Sequence, residues 1–188
     1  MWQIININLT AVKKFSLLLF LFSSAFIAQN VKAQSFLNAY RENTWHFGIG
    51  ADAAGVINPG STLSRFGLGG QLHLLYYPTP NVGVSVSTGF FTIPGKDKNK
   101  NYSVVPFTIG AKAFVSQDIY LSTEVGAGYL TPKTGSNMTK IVAPGIGYND
   151  NDTGLDISLR YQVNHQRDTY VSMIALHLAY YFNLSRGY

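Results

Sequence analysis

The stretch Leu155-Asp156-Ile157-Ser158-Leu159-Arg160-Tyr161-Gln162-Val163 alternates five apolar with four polar side chains without an error. Successive side chains of a strand point to opposite faces, so this segment has one apolar face and one face carrying Asp156, Ser158, Arg160 and Gln162. Two architectures use such a strand. In a soluble sandwich or barrel the apolar face lines the core, whereas in a transmembrane barrel it meets lipid and the polar face fills the inside.

Seven further segments repeat the pattern. Strands are predicted at about 45–56, 65–77, 82–93, 103–116, 119–131, 139–149, 155–164 and 169–183. Turn-forming residues separate them, with Pro78-Thr79-Pro80-Asn81, Ser116-Gln117-Asp118 and Asn149 to Gly154 at one end. Asn58-Pro59-Gly60-Ser61, Pro94 to Asn101, Pro132 to Met138 and Asn164 to Asp168 form the connections at the other. These strands are longer than the typical soluble strand of about 5–6 residues and suit a tilted barrel stave. No helical periodicity competes with them.

Alternation assigns the faces. Trp45, Phe47, Ile49, Phe66, Leu68, Leu72, Leu74, Tyr76, Val82, Val84, Val86 and Phe90 are expected outward, followed by Val105, Phe107, Ile109, Val115, Leu121, Val125 and Tyr129. Val142, Pro144, Ile146 and Tyr148 are placed outward by bulk, then alternate positions from Leu155 to Val163, then Tyr170, Ile174, Leu176, Leu178, Tyr180 and Phe182. This assignment gathers Trp45, Tyr76, Tyr148 and Tyr180 at one end and Phe66, Phe90, Tyr129 and Tyr170 at the other. Two aromatic belts are the mark of membrane interfaces and have no purpose around a soluble barrel.

The chain has 188 residues, 46% apolar and only 12% charged, which leans toward a membrane or exported protein. It contains no cysteine, which excludes disulfides, thiolate metal sites and a cysteine nucleophile. Residues 1–33 read as a secretory signal, with Lys13 and Lys14 before an apolar run from Phe15 to Ala28 and a small-x-small site at Val31-Lys32-Ala33. The run is too short for a spanning helix, which needs about 20 residues. Of fourteen Lys and Arg, three lie in this leader, leaving eleven against nine acids, so the high pI does not point to nucleic acid. The organisation expected is a cleavable signal (1–33), an N-terminal periplasmic segment (34–44) and a barrel domain (45–188).

The inward positions hold the candidate chemistry: His46, Asp52, Gln71, His73, Ser85, Ser87, Lys112, Glu124, Asp156, Arg160, Gln162 and His177. The fourth and fifth strands form a tight hairpin, and a register in which opposed residue numbers sum to 236 puts Lys112 directly opposite Glu124, both inward. With Asp52, Asp156 and Arg160 this pair is expected to form a lumen charge network that fills an eight-stranded barrel rather than lining a pore. The lumen histidines His46, His73 and His177 lie on strands that become neighbours on closure. They read as lumen hydrogen-bonders, with a Zn²⁺ triad as the competing reading; no metal or cofactor is expected. Asp150-Asn151-Asp152-Thr153-Gly154 has a superficial calcium-loop look but lacks the remaining ligands, and reads as a turn. His165, Asp168 and Ser172 come without a nucleophile motif, so no enzyme is expected. Lys96, Lys98 and Lys100 surround Asp97 in one loop, with Lys133 and Lys140 at the next. They read as solvated charges or as contacts for lipopolysaccharide phosphates.

Four pieces carry a resemblance over about residues 45–183: Val105-Pro106-Phe107-Thr108-Ile109-Gly110-Ala111-Lys112, Glu124-Val125-Gly126-Ala127-Gly128-Tyr129, Ala143-Pro144-Gly145-Ile146-Gly147-Tyr148 and Leu178-Ala179-Tyr180-Tyr181-Phe182. In these the chain resembles the small eight-stranded outer-membrane β-barrel family, the OmpA/OmpX-like porin-family group, in its Bacteroidota form. The resemblance implies an all-β, closed, antiparallel, eight-stranded up-and-down transmembrane barrel. It also implies outer-membrane localisation, contact with outer-membrane lipid, and delivery by periplasmic chaperones to the barrel-assembly machinery. Members end on an aromatic residue used in assembly, a part open here to Phe182 or Tyr188. The expected role is envelope structure or surface interaction, with a narrow channel for small solutes or ions as the alternative and a soluble lipocalin-like binder as a third reading.

Overall fold

The computed structural model describes residues 42–57, 64–96, 101–131, 138–166 and 169–185. The expected leader and most of the segment 34–44 lie outside them. Eight strands follow one another: β1 (Thr44–Val56), β2 (Phe66–Thr79), β3 (Val82–Ile93), β4 (Tyr102–Phe114), β5 (Ile119–Thr131), β6 (Met138–Asp150), β7 (Leu155–Gln166) and β8 (Thr169–Asn183). Each pairs antiparallel with its sequence neighbours, and β1 pairs with β8 to close the barrel. Closure leaves no open edge, so the ladder bonds are completed within the wall. Among the described residues no helix is long and apolar enough to cross a membrane, which says nothing of strands.

Several boundaries differ from the expected ones. β1 begins at Thr44, one residue inside the segment assigned to 34–44. The sequence Pro78-Thr79-Pro80-Asn81 is not wholly a turn: β2 runs through Thr79, and a bulge between Tyr76 and Thr79 absorbs the extra residues. β7 continues through Gln166, so Asn164 and His165 belong to the wall. At Asn149–Gly154 the turn forms as read. Asp150 accepts the Asp152 N–H at 3.0 Å, and Gly154 takes φ +81°, a left-handed geometry natural to glycine.

The register of the β4–β5 hairpin corrects a further expectation. Lys112 stands opposite Ser122 and Glu124 opposite Gly110, two residues from the arrangement that would have made Lys112 and Glu124 partners. The turn decides this. Phe114 pairs with Tyr120, and the N–H groups of Val115 and Ser116 both donate to the Ile119 carbonyl at 2.9 and 3.2 Å, so the chain reverses about Gln117. A shift of two preserves every face, and only the cross-strand partners change.

The outside is apolar from end to end. Among the described residues thirty-five large hydrophobic side chains are exposed, including Phe107 at 62% and Ile109 at 57%. Trp45 and Tyr76 are cross-strand partners with ring centroids 4.7 Å apart, and Tyr180 and Phe182 lie 4.8 Å apart on β8. The interior has three tiers. At the loop end Val56, Phe91, Ile93, Val104, Leu130, Val171 and Met173 form an apolar cluster. At the end carrying the tight turns Leu75, Tyr77, Phe114, Tyr120, Ala179 and Tyr181 form a second. The polar and charged side chains occupy the middle.

Candidate functional site in the barrel lumen

The charged tier is built from inward positions of all eight strands, with its acids, lysine and arginine on β1, β4, β5 and β7. On β7, Asp156, Ser158 and Arg160 point into the barrel, each under 5% exposed. Arg160 is the hub of the upper group. Its Nη1 donates to Gln71 Oε1 at 3.1 Å and to Glu124 Oε1 at 3.0 Å, while Nη2 bonds Asp52 Oδ1. The same Asp52 oxygen takes His177 Nδ1 at 2.9 Å. Glu124 is held a second time by the Thr108 hydroxyl at 3.1 Å, and Thr108 in turn bonds Ser87 at 2.5 Å.

Lys112 leads the lower group. Its Nζ donates to Asp156 Oδ2 at 2.8 Å and sits over the rings of Tyr120 and Tyr181 at 4.3 and 4.6 Å from their centroids. Tyr120 Oη donates to the other Asp156 oxygen at 2.8 Å, and Asn149 Nδ2 adds a bond at 3.0 Å. A fully buried carboxylate is sustainable only when paired and hydrogen-bonded, and Asp156 has one cation and two neutral donors.

The five charges named from the sequence therefore divide into two clusters. Asp52, Glu124 and Arg160 meet; Lys112 meets Asp156 and not Glu124. The histidines also divide. His73 and His177 flank β1 with ring centroids 5.0 Å apart, whereas His46 lies toward the turn end against Tyr77 and bonds Thr44 Oγ1 at 3.3 Å. Among the described residues no group of three or more His, Cys, Asp or Glu stands in a metal-holding arrangement. His165 is exposed on β7 opposite Tyr170, while Ser172 is buried; Asp168 lies outside the described residues, as do Lys98, Lys100 and Lys133.

The sequence reading missed the two apolar tiers of the lumen. Their signal was present as doublets that break alternation near strand ends: Leu74-Leu75, Tyr76-Tyr77, Phe90-Phe91, Val104-Val105 and Tyr180-Tyr181. In each, one member faces out and the other packs inside. Glycines receive several of these rings. A Cβ on Gly147 would stand 2.7 Å from Tyr120 Cε1, and one on Gly83 would stand 2.8 Å from Tyr77 Cε1.

No known family model matches this chain, and no curated protein matches it. Solved structures do. The crystal structure of Ail, the attachment invasion locus protein of Yersinia pestis, is similar with a TM-score of 0.55 and 20% identity, covering 76% of this chain and 100% of that one. The N-terminal β-barrel domain of Pseudomonas aeruginosa OprF has a TM-score of 0.50 at 11% identity, covering 75% of this chain and 98% of the other. A de novo designed transmembrane β-barrel gives 0.50 at 15% identity over 76% and 98%. At these identities the likeness is one of fold: a closed, all-antiparallel, eight-stranded barrel.

Proposed function

We propose that this protein is an integral outer-membrane barrel with an envelope-structural or surface-interaction role, and that its lumen is a packed core instead of a channel. The observation that carries the reading is the outer wall. Soluble monomers rarely expose contiguous apolar patches beyond a few hundred Å², and here every strand presents large apolar side chains outward around the whole circumference. Hydrocarbon is the solvent that suits such a wall. The aromatic pairs at the turn end fit an interface with water. A lipocalin-like binder requires the opposite distribution.

The interior weighs against conduction. A channel needs a continuous water path, yet apolar side chains less than 10% exposed pack together above and below the charged tier. No catalytic step is part of the proposal. Membership of the OmpA/OmpX-like group in its Bacteroidota form belongs to it and rests on the sequence pieces quoted above. So does assembly by periplasmic chaperones and the barrel-assembly machinery, with Phe182, outward at the end of β8, as the terminal aromatic.

Outer-membrane fractionation with gel migration before and after boiling tests the location. Recovery in the outer membrane with a heat-dependent mobility shift is expected; a soluble, non-shifting species would refute it. Planar-bilayer recording then tests the lumen, where steady single-channel conductance would refute the packed core.

A further inference from the structure

Between β6 and β7 the ladder is interrupted. Val142 pairs with Val163 and Gly145 with Arg160 in one continuous register, but Ala143 and Pro144 are skipped. Pro144 explains the gap, because its nitrogen has no hydrogen to donate. On the outside the interruption coincides with a groove of about 400 Å³ lined by Pro144, Ile146, Leu159, Tyr161 and Ile174. These residues sit near the middle of their strands, so the groove lies within the apolar belt, away from either end.

Nearer the loops, the same seam carries Lys140 directly opposite His165. Both are exposed, and among the described strand residues they are the only basic side chains on the outer face. Their flanking partners on the same level are Ala127 and Tyr170, neither of which supplies a negative charge. Two bases face one another at the rim of an apolar wall, and an apolar groove begins four residues below them.

We infer that the β6–β7 seam binds one membrane lipid with an anionic phosphate headgroup, the phosphate resting between Lys140 and His165 and an acyl chain passing Val142 and Val163 into the groove at Pro144. The dimensions agree. Four residues of strand cover about 13 Å, which at a barrel tilt of about 40° is about 10 Å of depth, and half a hydrocarbon core is about 15 Å. The groove is what distinguishes a lipid from free phosphate, since a bare anion has no use for five apolar side chains. This inference rests on the membrane reading above.

The test uses the full barrel refolded in detergent, with retained lipid read by native mass spectrometry. The probes are phosphatidylglycerol and a neutral diacylglycerol with the same chains. The expected result is a preference for phosphatidylglycerol of about fivefold from the Lys140 charge, with His165 adding a hydrogen bond, lost in the Lys140→Gln/His165→Gln variant. Ile174→Trp, which fills the groove, is expected to weaken retention of both lipids. Arg65→Gln, off the seam, leaves the preference intact, and glycerol phosphate alone does not compete. An undiminished preference in Lys140→Gln/His165→Gln, or full competition by glycerol phosphate, would overturn the inference. Boiling-dependent gel migration of each protein separates the two failures. A wild-type chain without the shift refutes the membrane reading, whereas a shifting barrel without the preference refutes only the lipid site. If Ile174→Trp loses the shift, the Lys140/His165 variant decides the matter by itself.

Discussion

Replacing Arg160 by methionine removes the hub of the upper lumen cluster while keeping much of its volume. Arg160 is 3% exposed and serves Asp52, Glu124 and Gln71. Deleting one partner of a buried ion pair costs about 3–5 kcal/mol, because the charge left behind is neither hydrated nor paired. The structure places this case at the lower end. Asp52 keeps His177 at 2.9 Å, and Glu124 keeps the Thr108 hydroxyl at 3.1 Å with its side chain 13% exposed. The expected loss is about 3 kcal/mol, roughly a hundredfold in the folded-to-unfolded ratio. Glu124→Gln supplies the control. Alone it weakens a bond to Arg160 and costs about 1 kcal/mol; added to Arg160→Met it removes an orphaned charge and restores stability. Urea unfolding in lipid vesicles, followed by fluorescence of Trp45, the one tryptophan among the described residues, reads all four proteins. A loss below about 1 kcal/mol for Arg160→Met, the scale of an exposed pair, would refute the reasoning, as would Glu124→Gln acting with the same sign in both backgrounds.

Depth along the wall supplies a second expectation. Leu159→Arg, at a half-exposed position near the middle of β7, should cost about 2–4 kcal/mol in a bilayer, whereas Leu155→Arg at the strand end should cost about 0–1 kcal/mol. Equal losses in vesicle unfolding would remove the case for a lipid-facing wall. A third concerns the glycines beneath rings. Gly147→Val drives a side chain into Tyr120 and should destabilise by about 1–3 kcal/mol through overpacking. Gly55→Val, where a Cβ meets nothing within 4 Å, should stay within about 0.5 kcal/mol of the parent. Unfolding midpoints that fail to separate the two would contradict the packed interior.

Strand number, face and approximate extent were legible because they depend on neighbours in the chain. Leu155–Val163 needs only the pleat to declare its two faces, and turn residues mark where each stave ends. The partners across the lumen were not legible. Asp52 meets Arg160 from 108 residues away, and Lys112 meets Asp156 from 44 away. Such contacts cross the barrel's width, where alternation carries no information about height or reach. The β4–β5 register shows the same limit, since parity admits a sum that pairs Lys112 with Glu124 and another that pairs it with Ser122. The gap at Pro144 was visible as a proline in a strand. Its consequence for the outer wall required knowing that β7, and not β5, lay on the side of the missing bond.

The placement of the lumen charges also bears on how the cylinder shuts. Asp52 belongs to the first strand, and its two partners, Arg160 and His177, belong to the last two. A sheet that has formed all its hairpins but has not yet joined β1 to β8 still holds these groups hydrated and apart. Joining the two strands dehydrates them, pairs them and completes the ladder in one event, so a half-shut cylinder has lost water without having gained partners. Closure of this chain is therefore expected to be cooperative, with the ion cluster acting as a latch whose contacts exist only in the finished ring.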